Sequence, residues 1–201
     1  MEYSAKEIEK LENAMSKSFG EHLGTYHEIV TEDDLHIDCE VFKTNIEGEE
    51  FYTVVTLGLS KHKMKESVPR YEYIELMFCM PISWDYNNTV WPMNLLKFIA
   101  KTPIKYDWTI GPFHTMDLNE KCIANKFSDV FFEFPRNFMP DETVFKLGKK
   151  EIRVLQVYPI FKDELEEIFN ENEDVMESIV LLHAIFDENR ESVVKNEDRY
   201  L

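Results

Sequence analysis

The spacing of hydrophobic residues changes period within the first forty positions, and that change marks the first structural boundary. Ile8, Leu11, Met15, Phe19 and Leu23 recur at helical intervals, one apolar stripe of an amphipathic helix over residues 4–23. Ser4, three residues before Glu7, suits a capping box at its start. From Leu35 the period is two. Leu35, Ile37, Cys39 and Val41 point to one face of a strand, and His36, Asp38, Glu40 and Phe42 to the other. "TNIEGEE" then reads as a turn around Gly48, and "FYTVVTLGLS" as a strand apolar on both faces, hence central in its sheet. "YEYIELMFCM" alternates again, with Ile74, Leu76, Phe78 and Met80 inward and Pro81 at its end.

"WPMNLLKFIA" predicts a helix with Pro92 in its first turn, burying Trp91, Leu95, Phe98 and Ile99. "FSDVFFEF" and "EIRVLQVYPIF" predict two more strands, each stopped or kinked by proline. Helical spacing returns with Leu165, Ile168, Phe169, Val175, Ile179, Leu182 and Ile185. The expected class is α+β: a central mixed or antiparallel sheet with N-terminal, middle and C-terminal helices on its flanks. The chain reads as a single domain over residues 1–186 followed by a charged tail, 187–201.

Charge sharpens this picture. The 201 residues carry 22 basic and 39 acidic side chains, net −17. Residues 1–50 hold 4 against 14, residues 163–201 hold 3 against 13, and the middle is slightly basic. Acidity therefore belongs to the two ends. Such a field repels nucleic acid and anionic membranes and speeds encounter with a basic protein. No apolar run reaches the roughly 20 residues of a membrane span, and the charged N-terminus is unlike a signal peptide. Three scattered cysteines, Cys39, Cys79 and Cys122, read as reduced packing thiols. Together these features place the protein in the cytoplasm.

Catalytic motifs are scarce. There is no Walker A sequence, GxGxxG, GxSxG or HExxH, and no cofactor is expected. The one constellation with catalytic chemistry is His36-x-Asp38-x-Glu40, with His27 or His114 as a further ligand. Alternate strand residues stand roughly 6.5–7 Å apart, so imidazole and carboxylate could converge on a hydrolytic metal. The competing explanation is simpler, because a strand with one solvated face must alternate whether or not it binds anything. Phe42 continues that face and favours cover by a helix.

Several stretches stand in a telling order: "LHIDCEVF", "FYTVVTLGLSKHKM", "EYIELMFCMP", "WPMNLLKFIAKTP", "GPFHTMDLN" and "VLQVYPIFKDELE". Over residues 19–185 this series resembles the suppressor-of-fused family. The resemblance implies an α+β domain with a central sheet, flanking helices and no catalysis. It also implies protein binding. Animal members carry a second domain and clamp a transcription-factor peptide partly by added-strand pairing, whereas bacterial members resemble immunity proteins of polymorphic toxin systems. The animal pattern has an Asp before the His of "GPFH", where this chain has Phe113 before His114.

The expected function is therefore a non-catalytic, stoichiometric protein binder, with a basic toxin domain or an extended peptide as partner. The alternatives are a peptide-clamping adaptor and a small hydrolase built on His36, Asp38 and His114. Partner-binding candidates are His36 and Asp38 on the strand face, and Trp84, Tyr86, Trp108, Phe113 and His114 in loops around the WP helix.

Overall fold

The computed structural model describes residues 3–27, 36–65, 69–118 and 127–161, together with positions 166, 177 and 180. Helix α1 spans Ala5–Phe19 and buries Leu11, Met15 and Phe19, the predicted stripe. Glu7 reaches back to accept hydrogen bonds from the Ser4 backbone N–H at 2.9 Å and the Ser4 hydroxyl at 2.8 Å. The helix stops at Gly20, whose φ of +102° favours glycine. A Cβ there would lie 2.4 Å from the Lys43 carbonyl oxygen, so the strand that carries Lys43 can approach only because none is present. Leu23, predicted as the last turn of the stripe, lies instead on strand β1 (Glu21–Tyr26).

Strand β2 (Asp38–Ile46) pairs antiparallel with β1 and, across a tight turn at Glu47–Gly48, with β3 (Glu49–Leu57). A short 3₁₀ turn, Leu59–Lys61, leads towards β4 (Ile74–Pro81). Helix α2 (Trp91–Tyr106) crosses over to β5 (Thr115–Asp117) and β6 (Phe127–Glu133). Strands β7 (Val144–Leu147) and β8 (Lys150–Phe161) form the last hairpin. The eight strands make one sheet in the order β1-β2-β3-β4-β8-β6-β5, with β7 also on β8. All pairings are antiparallel except β4 with β8, so the sheet is mixed and the class α+β as expected.

Both faces are covered. Cys39, Val41, Val54, Ile74, Leu76, Phe78, Leu155 and Val157 meet α2 and the loops around it. On the other face Phe42, Phe51, Val55, Met77, Cys79, Ile152 and Val154 meet α1 and β7. Phe19 anchors that second core, its ring 5.7 Å from Phe42, 5.1 Å from Phe138 and 5.7 Å from Phe145. Burying each such side chain stabilises the fold by about 1.5–3 kcal/mol.

Three expectations need correction. Phe98, predicted inside, is 42% exposed on the outer side of α2, while its neighbours Leu95, Leu96, Ile99 and Ala100 turn inward. Strand β4 does not alternate between core and water, because Glu75, Met77 and Cys79 are as buried as their neighbours. The polar face of β2 is not wet throughout either, since Glu40 is 1% exposed and Phe42 fully buried beneath α1. The predicted C-terminal helices lie almost wholly outside the described residues, although Glu166, Glu177 and Val180 have helical backbone. The 187–201 tail lies outside them. Among the described residues no helix is long and apolar enough to cross a membrane. Cys39 and Cys79 are free and buried, and burial pushes the Cys79 thiol up to about 12. Cys122 lies outside the described residues.

Candidate functional site

The predicted site residues divide between the two ends of the sheet. At the β1–β2 end, His36 Nε2 lies 2.9 Å from Asp38 Oδ1, and His27 Nδ1 lies 3.4 Å from Asp38 Oδ2. Glu40, two residues further along the same face, does not join them. Its Oε2 instead meets His22 Nε2 at 2.6 Å and accepts from the Thr25 hydroxyl at 2.8 Å. Burial raises the Glu40 pKa, against the lowering effect of Thr25 and His22.

His114 is far from this cluster. It precedes β5, and four strands separate β5 from β2, a distance of about 24 Å at ordinary strand spacing. The His36, Asp38 and His114 trio therefore cannot hold one metal, and the hydrolase built on it has no geometric basis.

The β5 end is aromatic. Trp108 is 54% and Tyr106 58% exposed, with ring centroids 5.5 Å apart where α2 ends. Trp108, Thr109, Lys65 and Asp107 line an open depression of about 440 Å³, and Lys65 pairs with Asp107. Phe113 stands edge-on to the half-exposed Phe134 at 5.3 Å and lies 6.5 Å from Phe131. Its φ is +69°, a strained value for a bulky side chain. The Phe113 N–H donates to the Phe132 carbonyl at 2.6 Å, and the Phe132 N–H donates to His114 O at 3.0 Å, so the conformation is fixed by the sheet. His114 is exposed, and its Nδ1 lies 3.2 Å from the Gly111 N–H.

The remaining two candidates are packing groups. Trp84 is 3% exposed against Trp91 at 6.0 Å, and Tyr86 lies half-buried on Tyr52 at 5.0 Å. Sequence reasoning missed Tyr106 and Phe134, which carry no motif and become a surface only where α2 ends and β6 turns.

A third feature organises the middle of the sheet. Glu75 is fully buried, yet each of its oxygens is well supplied with donors. Oε1 accepts from the Gly58 and Ser60 N–H groups at 2.9 and 3.0 Å and from the Ser60 hydroxyl at 2.5 Å. Oε2 accepts from the Thr56 hydroxyl at 2.6 Å and the Leu59 N–H at 3.3 Å. Gly58 has φ +138°, and a Cβ there would meet the His36 carbonyl oxygen at 2.5 Å. The stretch "TLGLS" is thus a carboxylate-bound turn, and each of its polar groups has a partner that its spacing demands.

These landmarks coincide with a known sequence profile, that of suppressor of fused protein (SUFU), which matches residues 33–191. The chain belongs to the suppressor of fused family. A search of the curated proteins found no match. Among solved structures, the SUFU-like fold is similar to a chain of the Sufu–Fu complex crystal structure. The TM-score is 0.65 at 14% identity, covering 96% of this chain and 91% of that one. It is also similar to Drosophila Suppressor of Fused, with a TM-score of 0.56 at 12% identity. There the match covers 80% of this chain and 43% of the other. Identities this low establish the shared fold of this SUFU-family chain.

Proposed function

We propose that this domain is a non-catalytic protein-binding module in the cytoplasm, and that it neutralises a basic toxin domain by direct contact, as an immunity protein does. One observation carries the reading: two ring pairs, Tyr106–Trp108 and Phe113–Phe134, with all but Phe113 exposed, flank the 109–114 loop that leads into β5, in a chain with net charge −17. Large rings left in water beside a sheet edge are the usual anchors of a binding surface, and the net negative charge of the chain, concentrated in residues 1–50 and 163–201, would speed encounter with a basic partner. The solved Sufu–Fu complex, in which a similarly folded chain is held in a protein complex, supports the same reading.

A second reading has its own support. β5 ends the sheet path and is only three residues long, so an extended peptide could continue the sheet there while Phe113 and Trp108 select its side chains.

Calorimetric titration with a basic toxin domain, should a neighbouring gene encode one, tests both. Tight binding that falls by about 30-fold or more in Trp108→Ala, with an unchanged melting temperature, is the expected result. A partner that binds equally well to Trp108→Ala and Phe113→Ala would overturn the aromatic site. For strand addition, a peptide N-methylated at alternate backbone nitrogens should lose binding.

A further inference from the structure

The polar end of the sheet holds a cluster that the aromatic surface does not use. His27, His36 and Asp38 place one nitrogen or oxygen each within 4.8 Å of one another, the one such group among the described residues. We propose that these three side chains bind a divalent transition-metal ion of the Zn²⁺ class, in a non-catalytic clasp across the β1–β2 connection.

The chemistry of the donors selects the ion. Two imidazoles and one carboxylate suit Zn²⁺ and its neighbours, whereas Ca²⁺ and Mg²⁺ take oxygen ligands almost throughout. The distances fit as well. A tetrahedral ion about 2.1 Å from each ligand separates them by about 3.4 Å. His27 Nδ1 and Asp38 Oδ2 already stand 3.4 Å apart, longer than a good hydrogen bond. His36 Nε2 stands 3.0 Å from the same Asp38 Oδ2, a separation that would open by about 0.4 Å to admit the ion.

The placement gives the ion a structural task. His27 follows the last residue of β1, and His36 precedes the first residue of β2 by two positions, so the ligands stand at the two ends of the 28–35 connection. β1 ends the sheet path and pairs with β2 through a register shift between His22 and Gly24. An ion held by both ends would fix the terminal pair Tyr26↔Cys39. Glu40 contributes nothing, being turned to His22 and Thr25. Three protein ligands leave a fourth position for water.

The test uses the full chain with any affinity tag removed, because polyhistidine binds the same ions. Zn²⁺ titration calorimetry should show one equivalent bound, with a rise in melting temperature. Co²⁺ in its place should give the strong visible absorption of a four-coordinate site. His27 is 69% exposed, so His27→Ala leaves the fold intact by circular dichroism. That variant and His36→Ala should each weaken Zn²⁺ by about tenfold or more, whereas His114→Ala leaves it unchanged. Sub-stoichiometric binding, six-coordinate Co²⁺ spectra, or wild-type affinity in His27→Ala or His36→Ala would each overturn the proposal.

Discussion

The two ends of this sheet solve the same problem by opposite means. At the β1 end the strand face is finished with paired polar groups: His22 on Glu40, and His27 and His36 on Asp38. At the β5 end it is finished with rings, several of them left in water. Polar groups that satisfy one another gain little from a protein partner, because docking must first strip their water. Exposed aromatic rings gain much on burial and lose few rotamers. The comparison therefore favours the β5 end for the proposed protein contact and leaves the β1 end to local structure or the proposed ion.

The largest effect that would sharpen the contrast comes from two tryptophans flanking α2. Trp84→Ala should destabilise the fold by about 3–5 kcal/mol, because the indole fills core space against Trp91. Trp108→Ala should change stability by no more than about 0.5 kcal/mol. Urea midpoints measure both, and similar losses would show that Trp108 is packing rather than surface.

Glu75→Gln comes next, because the strand that carries Glu75 lies between the two ends and serves both. The amide offers a donor to a turn that supplies only donors to it, and the expected loss is about 2–4 kcal/mol at mildly acidic pH. Burial outweighs those donors and raises the Glu75 pKa, so the folded chain binds the proton more tightly than the unfolded one. That contribution is complete below the ordinary carboxylate value of about 4.3 and declines as pH rises through the raised pKa. The gap between wild type and Glu75→Gln should therefore narrow with rising pH. A gap that widened would place the Glu75 pKa below the usual range.

The smallest effect separates the ends most cleanly. Glu40→Gln should cost about 1 kcal/mol, since the amide replaces the carboxyl group whose Oε2 meets both His22 and Thr25. Amide exchange should quicken in β1 and stay unchanged in β5 and β6. Equal acceleration at both ends would show that they unfold as one unit, and the division drawn between them would fall.

Much of this was legible along the chain. Five strands, both described helices and the α+β class follow from local periodicity, which the backbone imposes within a few residues. The family was legible too, through "TLGLS" and its neighbours. The site was less so. Trp108 and Phe113 were visible as loop aromatics, but Trp84 and Tyr86 looked equivalent to them until Trp84 packed on Trp91 of α2 and Tyr86 on Tyr52 of β3. Strands β1 and β5 escaped because "EHLGTY" and "TMD" have no apolar alternation, and β7 because "VFKL" is only four residues long; they are strands because a partner strand takes their hydrogen bonds.

What the sequence by itself determined is the set of local elements, the acidic ends and the residues able to carry chemistry. Only the tertiary structure decided which of two like residues faces water. Glu75 and Asp38 both sit at polar positions of alternating strands, yet one is buried beneath five donors and the other stands partly exposed between two histidines. Burial depends on what packs over a face, and here that cover comes from α1, α2 and the turn at Gly58, segments distant along the chain from the strands they cover.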